Sequence, residues 1–219
     1  MAANTSRLVR FTNLEFVLGA SLTTIICLAV LFSDVLFPGG ADKIDLMARL
    51  AKPFANAAHP LGTDPLGRDV LARVVAGGKI SLLVGFTSVI GAVIFGVAVG
   101  LVAGYYRGFW DMLVMRFADI QLAMPFILLA ITFIAIVGGS LTNTIILLIV
   151  SQWVQYARLV RGSVLTLRER EFILSARAIG VKDWRIILQH LLPNLIGPVI
   201  VLMTLNVANN ILLECRLTF

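Results

Sequence analysis

The sequence predicts an all-α membrane protein, a polytopic bundle of transmembrane helices. Three observations predict this fold class. Of the 219 residues, 59% are hydrophobic and only 14% are charged. The mean hydropathy is +0.95. Long apolar runs alternate with short polar segments, whereas a soluble domain of this length needs more polar surface to cover its core.

Five apolar runs have about the length that a helix needs to cross a bilayer. Pro125 should bend the third run, and residues 138–140, Gly-Gly-Ser, should form a tight turn after it. Gln152 and Gln155 interrupt the fourth run, which is therefore the weakest. The first run lacks a nearby small-residue cleavage site, so it is interpreted as an uncleaved span and not as a signal peptide. The runs are Phe16–Phe37, Ile80–Ala103, Met112–Val137, Leu141–Ala157 and Leu195–Leu213.

The distribution of Lys and Arg predicts a cytoplasmic N-terminus. With Arg7 and Arg10 inside, eleven basic residues lie on the cytoplasmic side and seven outside. We attribute the net charge of +6 to these loops and not to nucleic-acid binding, because basic and aromatic residues do not interleave. The chain divides into residues 1–79, with the first span and an outer segment, and a membrane core, residues 80–219, with a cytoplasmic stretch at 158–194.

Glycines recur every four residues in the second span, at Gly96, Gly100 and Gly104. This spacing places them on one helix face and favours close packing against another helix. Glycine is also common in membrane helices without such a role. The packing partner could belong to this chain or to another one.

The outer segment, residues 38–79, is polar. Met47, Leu50 and Ala51 are spaced for a short surface helix, and residues 59–69 are dense in Gly, Pro and Asp, which is typical of turns. Arg116 and Asp119, spaced i,i+3 on the third span, could pair.

The sequence offers few candidates for metal ligands or for a disulfide bond. His59 and His190 are expected on opposite sides of the membrane, and no Cys/His cluster has the spacing of metal ligands. The residues leave a disulfide between Cys27 and Cys215 open.

Motifs for nucleotide binding or catalysis are missing from the sequence. Gly78-Lys79 comes nearest to a P-loop, but Ile80 follows it and Arg73 stands where the first glycine belongs. We therefore predict no catalytic residue and no nucleotide or metal site. Active transport would need a partner chain or an ion gradient, and the scarcity of charges in the spans weakens an ion-coupled carrier.

The deep polar side chains of the fifth span are amides. Asn206, Asn209 and Asn210 share one helix face. They could line a polar passage or form hydrogen bonds between helices. Both interpretations stay open at this point.

The cytoplasmic stretch holds seven of the eighteen Lys and Arg residues. Residues 171–179 have helical spacing, and Gly180 can end that helix at a positive φ. Asp183 is placed to cap a second short helix that Pro193 ends. The pattern predicts a helix–Gly–helix elbow, which could dock into a groove of a protein partner or rest on lipid headgroups. The contact face would comprise Phe172, Ser175, Ala176 and Ile179.

Two motifs resemble those of a known family. Leu174-Ser175-Ala176-x3-Gly180-x9-His190-x-Leu192-Pro193 resembles the EAA loop of bacterial ABC-transporter permeases, with Leu174 in place of glutamate and His190 in place of isoleucine. Residues 61–69, followed by Gly78-Lys-Ile-Ser-Leu82, resemble the N-terminal signature of the "C" permease of dipeptide, oligopeptide and nickel importers. The resemblance covers roughly residues 7–219.

The resemblance implies a non-catalytic, multi-pass subunit of the bacterial inner membrane with the type I ABC importer fold. It would pair with a second permease subunit as a heterodimer, with two ATP-binding subunits that hold ATP and Mg²⁺, and with a periplasmic substrate-binding protein. The elbow would be the coupling helix that docks on the ATPase. The docking residues would be Phe172, Ser175, Ala176, Ile179, Gly180, Lys182 and Asp183.

The same resemblance implies roles for two other regions. The outer residues would face the second permease and the binding protein, and the amides of the fifth span would line the translocation pathway. The outer residues are Gly62, Asp64, Gly67, Arg68 and Asp69; the amides are Asn206, Asn209 and Asn210.

The resemblance leaves the substrate open. Peptides are the default substrate, and nickel or another small solute is the alternative. Members of this family usually have a sixth span, which we expect to be missing here, since the sequence holds five spans and ends shortly after Leu213. A self-contained carrier or channel and a scaffold membrane protein are the competing hypotheses.

Overall fold

The computed structural model describes the backbone of residues 5–55 and 57–218, and the side chains of those residues except 5–13, 15, 16 and 215–218. The side chains of Arg7, Arg10, Cys215 and Arg216, on which parts of the predicted topology and the open disulfide depend, lie outside the described residues. The described chain is helical apart from loops and two isolated bridges, Ile44–Arg68 and Thr63–Asp69. The predicted all-α class is confirmed.

The chain forms two compact units, residues 1–81 and 82–219. The first unit begins with α1 (Thr5–Leu31) and α2 (Ser33–Leu36). A loop of residues 38–69, here called the Asp64 loop, follows and contains one 3-10 turn, Leu46–Ala48. The predicted surface helix through Leu50 and Ala51 is wrong, because Leu50 adopts a φ of 53° that ends the helical path.

The long helix α3 (Val70–Tyr106) contains the predicted second span. Asp69 accepts a hydrogen bond from the backbone N–H of Ala72 at 3.1 Å and so fixes the start of the helix. At 1.5 Å per residue, 37 residues extend about 55 Å, well beyond a hydrocarbon core of about 30 Å. Arg107, with φ 59°, follows the last residue of the helix and leaves the helical conformation.

The third predicted span is broken into α4 (Gly108–Ala123) and α5 (Phe126–Val137), which are bent by 95°. Pro125 was predicted to bend one helix, but here it separates two helices. Its ring disfavours the helical conformation for the preceding residue, and Met124 is extended at φ −89° and ψ 127°.

The next helix, α6 (Leu141–Leu167), is ten residues longer than the fourth predicted span. Gly138, at φ 91°, makes the predicted turn before it. The Oγ of Ser140 accepts a bond from the N–H of Asn143 at 3.1 Å and caps the helix.

The chain then forms the elbow, residues 171–185, from α7 (Glu171–Ala178) and α8 (Asp183–Arg185). The prediction that Pro193 ends the second helix is wrong. Helical structure continues through a π-helical segment, Ile186–Leu191, into α9 (Leu192–Thr218). The N–H of Leu192 bonds to the carbonyl of Ile187, five residues back, and this wider turn accommodates a proline that would disrupt a regular α-helical ladder.

Two helical segments of the described chain are long and apolar enough to cross a membrane, Val70–Tyr106 and Asp183–Glu214. The bent pair α4–α5 makes a third if it is one span. These correspond to the second, fifth and third predicted spans. The described apolar part of α1, Val17–Leu31, is shorter, and α6 does not meet the same criteria.

The glycine face of α3 packs on α6, so the packing interpretation is confirmed and the partner lies in the same chain. A Cβ on Gly96 would lie 2.5 Å from the carbonyl oxygen of Trp153. A Cβ on Gly104 would lie 2.9 Å from the Cβ of Val164. Buried side chains of α3, α6, α7, the π-helical segment and α9 complete this core, among them Val89, Tyr156, Val160, Ile173, Ile186 and Leu195.

Candidate functional site: the Gly180 elbow and the amide-lined cavity

The turn of the elbow is fixed by backbone hydrogen bonds. Gly180 takes φ 78°, as predicted, and its N–H bonds to the carbonyl of Arg177 at 2.9 Å. The N–H of Val181 bonds to the carbonyl of Ala176 at 3.0 Å. These two bonds form a Schellman motif, which ends α7 and sets the angle at which the chain leaves it.

The exposed face of the elbow differs from the predicted one at one residue. Phe172 is 44% exposed and Ile179 is 80% exposed, and Ser175 is also at the surface. Ala176 is buried. It follows Ile173 by three positions, so both side chains lie on the side of α7 that packs into the core. Ala176 therefore does not belong to the exposed surface.

Asp183 does not cap α8 with its side chain, which corrects the sequence prediction. Its carboxylate instead accepts a 2.6 Å hydrogen bond from the hydroxyl of Tyr105, near the end of α3. Asp183 is the first residue of α8, where the helix dipole favours a negative charge.

Two ion pairs join α4 to α6. Asp111 receives two hydrogen bonds from the guanidinium of Arg161, one of them at 2.8 Å. Asp119 pairs with Arg158 at 2.5 Å. The predicted pair of Asp119 with Arg116 is therefore wrong, because the carboxylate is taken by a cation on the neighbouring helix. The sequence offered no signal for pairs 39 and 50 positions apart.

The amides of α9 divide into a buried pair and an exposed residue. The Nδ2 of Asn206 lies 3.1 Å from the hydroxyl of Tyr156. The Nδ2 of Asn210 donates to the Oγ of Ser88 at 2.7 Å, and its Oδ1 accepts a bond from Gln152. These bonds join α9 to α3 and α6, so Asn206 and Asn210 form hydrogen bonds between helices. Asn209 is exposed.

A cavity of about 1120 Å³ lies beside these amides and is lined by residues of α4, α5, α6 and α9. Its wall is apolar apart from one hydroxyl and five amide side chains, and no residue that lines it carries a charge. Asn206 and Asn209 both contribute to the wall. The polar residues of the wall are Gln121, Ser151, Gln152, Gln155, Asn206 and Asn209.

The Asp64 loop is held by two glycines at positive φ. Gly62 has φ 80°, and Gly67 has φ 78°. A Cβ on Gly67 would lie 1.9 Å from the carbonyl oxygen of Asp45, and one on Gly62 would lie 2.3 Å from that of Ala51. Both positions therefore require glycine for conformation and for space.

Asp64 is the acceptor at the centre of this loop. It receives bonds from the backbone N–H groups of Leu66 and Arg68, at 2.8 and 3.0 Å, and from the guanidinium groups of Arg68 and Arg73, each at 2.8 Å. The Arg68 N–H bond is the main cause that lowers the pKa of Asp64 to about 2, against burial that alone would raise it.

Asp69 closes the same loop. Its carboxylate lies 2.9 Å from the Nδ1 of His59. Burial raises its pKa, but the bonds from His59 and from the backbone at the start of α3 together lower it. The described residues contain no group of three His, Cys, Asp or Glu side chains that could hold a metal ion.

Comparison with known proteins identifies the family. The family described as binding-protein-dependent transport system inner membrane component matches residues 96–215. The chain is 43% identical over 203 residues to the dipeptide transport system permease protein DppC of Alkalihalophilus pseudofirmus, covering 93% of this chain and 66% of the relative.

Two further relatives agree. The glutathione transport system permease protein GsiD of Pectobacterium atrosepticum is 35% identical, covering 96% of this chain and 70% of the relative. A putative peptide permease protein of Brucella abortus is 34% identical, covering 100% of this chain and 71% of the relative. The chain thus spans about two thirds of the length of these relatives. It belongs to the family of binding-protein-dependent transport system inner membrane components.

Proposed function

We propose that this chain is the permease subunit of an ATP-driven, binding-protein-dependent peptide importer, and that the elbow is the point where it docks on a separate ATPase. The observation that carries the proposal is the exposed apolar tip of the elbow in a member of this family. Ile179 and Phe172 present large apolar side chains at the surface. The sequence has no P-loop, so the ATP-binding sites belong to partner chains.

The geometry of the elbow suits docking into a groove. The Schellman motif fixes the tip, and Gly180 adds no side chain to it. Lys182, which is also exposed, lies two residues after Gly180. A short rigid helix pair that presents apolar side chains is the form in which helices bind grooves of other proteins. The proposal leaves out Ala176, which is buried, and Asp183, whose carboxylate is bonded to Tyr105. The proposed docking residues are Phe172, Ser175, Ile179, Gly180 and Lys182.

The cavity beside α9 is the proposed part of the translocation pathway. Its amide side chains can donate and accept hydrogen bonds with peptide groups whatever the side chains of the peptide are. Nickel, the alternative substrate, prefers imidazole, thiolate or carboxylate ligands, and none of these lines the cavity. The names of the relatives refer to dipeptide, glutathione and peptide transport. Peptides are therefore the proposed substrates.

The proposed assembly follows the family. The chain crosses the inner membrane several times with its N-terminus in the cytoplasm. It pairs with a second permease subunit, two ATP-binding subunits and a periplasmic binding protein. The Asp64 loop would face the second permease and the binding protein. Its dense hydrogen bonds make it a rigid surface for such contacts.

Copurification with the ATPase partner tests the docking site. Phe172→Asp and Ile179→Asp each place a charge at the exposed tip, and we expect ATPase recovery to fall at least about tenfold. Leu174→Glu is the matched control. It adds the same charge to a position of α7 that is about as exposed as Phe172, and the family pattern carries glutamate there. Recovery with this control should be unchanged. Equal recovery with all three variants would contradict the proposed docking site.

A further inference from the structure

We propose that Tyr105 is a positioning residue that fastens both arms of the elbow to the end of α3, so that movement of the elbow is transmitted to α3. The inference rests on the proposed function, because it says how motion imposed on the elbow by an ATPase enters the membrane helices.

Three contacts converge on Tyr105. Its hydroxyl donates to the carboxylate of Asp183, at the start of α8, at 2.6 Å. The guanidinium of Arg177, in the last turn of α7, lies 4.9 Å from the centre of its ring. Its carbonyl oxygen accepts a 3.0 Å bond from Arg168, which caps the end of α6. One residue thus contacts both arms of the elbow and the helix that leads into it.

The Tyr105 side chain is well placed for a mechanical link. The residue is only 4% exposed, and a buried tyrosine hydroxyl needs a hydrogen-bond partner. Asp183 is the partner, and a bond to an ionised acceptor is stronger than one between neutral groups. The ring meanwhile offers its face to the cation of Arg177. Displacing either arm breaks a favourable contact with Tyr105.

The helix that carries Tyr105 also packs closely on α6 between Gly91 and Gly104. A Cβ on Gly96 or Gly100 would lie 2.5 or 2.6 Å from a carbonyl oxygen of α6. Such close backbone contact prevents α3 from sliding separately. A pull on Asp183 would therefore move α3 and α6 as one body, which is what a lever between an ATPase and a transport pathway requires.

Tyr105→Phe tests the inference, because it removes the hydroxyl and keeps the ring over which Arg177 lies. The chain would be reconstituted in liposomes with its second permease, ATPase and binding protein. Uptake of a radiolabelled dipeptide and ATP hydrolysis would be measured together. We expect uptake per ATP hydrolysed to fall about 3- to 10-fold, the range for one lost hydrogen bond. Copurification with the ATPase should stay normal.

Two further variants separate coupling from folding. Tyr106→Phe removes the hydroxyl of the adjacent, half-exposed tyrosine and should leave the ratio unchanged. Asp183→Ala should lower the ratio as Tyr105→Phe does, and the double variant should be no worse than either single variant, because both remove one interaction.

The outcomes are distinct. A wild-type complex without ATP-dependent uptake would overturn the proposed function, and with it this inference. Normal wild-type uptake with an unchanged ratio in Tyr105→Phe, or additive effects of Tyr105→Phe and Asp183→Ala, would overturn the inference alone.

Discussion

Gly100 of α3 faces the backbone of Ala157 on α6 so closely that a Cβ at residue 100 would lie 2.6 Å from the Ala157 carbonyl oxygen. That distance is too short for any side chain, so the two helices can meet here only because residue 100 is glycine. The packing of α3 on α6 therefore depends on individual glycine residues, and substitutions at these positions can test it.

Gly100→Ala should destabilise the protein. The added methyl group must push α3 away from α6, and overpacking of this kind costs about 1–3 kcal/mol. Gly162→Ala is the matched control, because a Cβ on Gly162, also in the middle of a helix, would have no heavy atom within 4 Å. It should be neutral or stabilising by up to about 1 kcal/mol. Thermal unfolding in detergent measures both, and equal midpoints would contradict the close packing.

Asn209 and Asn210 are neighbours in sequence, but substitution by alanine should have different effects at the two positions. Asn210 is buried and bonded to Ser88 and Gln152, so Asn210→Ala should lower the free energy of unfolding by about 1–3 kcal/mol. Asn209 is exposed at the cavity. Asn209→Ala should change the free energy of unfolding by less than about 0.5 kcal/mol, but it should alter peptide uptake. Wild-type uptake with Asn209→Ala would argue against the cavity as pathway.

The Asp64 carboxylate should keep its negative charge in acid. Its pKa is about 2 in the folded loop against an ordinary value of 3.8. A group with a lowered folded pKa stabilises the fold above its unfolded pKa, and that stabilisation is lost as the pH falls from about 4 towards 2. The carboxyl ¹³C shift of Asp64 in labelled protein should titrate near pH 2. A midpoint near 3.8 would contradict the hydrogen-bond network.

Removing the Asp64 charge should loosen the loop at neutral pH. Asp64→Asn weakens the bonds to Arg68 and Arg73, so the amide hydrogens of residues 60–70 should exchange faster with deuterium. Asp42 provides the control, because its side chain is 94% exposed and its carboxylate lies 4.0 Å from Arg68, and an exposed pair of this kind contributes little to stability. Asp42→Asn should leave the exchange unchanged.

The pair of Asp111 and Arg161 should support the contact of α4 with α6. Both side chains are partly buried, and loss of one partner leaves the other charge without its hydrogen bonds. Asp111→Ala should lower the free energy of unfolding by about 1–3 kcal/mol. The reversed pair, Asp111→Arg with Arg161→Asp, should recover part of that loss in thermal unfolding. A reversed pair as unstable as a variant with two like charges would contradict a direct interaction.

Local signals in the sequence predicted the fold class and several turns correctly. Gly180 ends α7 because a positive φ suits glycine, and Pro125 interrupts the third span because its ring disfavours the helical conformation at Met124. The three glycines of α3 indicated a packed face but not its partner. Such features depend on single residues and their neighbours, which a sequence displays directly.

Features that depend on distant residues were beyond the sequence. Asp119 was expected to pair within its helix, but Arg158 on α6 reaches it. Ala176 shares a face with Phe172 and Ile179 on a helical wheel, yet the core covers it. The hydroxyl of Tyr105 bonds to Asp183, which lies 78 positions further along the chain. Only packing in three dimensions brings these groups together.

The most direct test of the elbow as the docking point is a photo-cross-link from its tip. A benzoylphenylalanine at Ile179 of the assembled complex should cross-link to the ATPase subunit, and the yield should change when ATP is added. The same group at Ile136, which is 79% exposed on α5, should give no ATPase product. Cross-links from residue 179 to lipid alone, in a complex that contains the ATPase, would contradict the account.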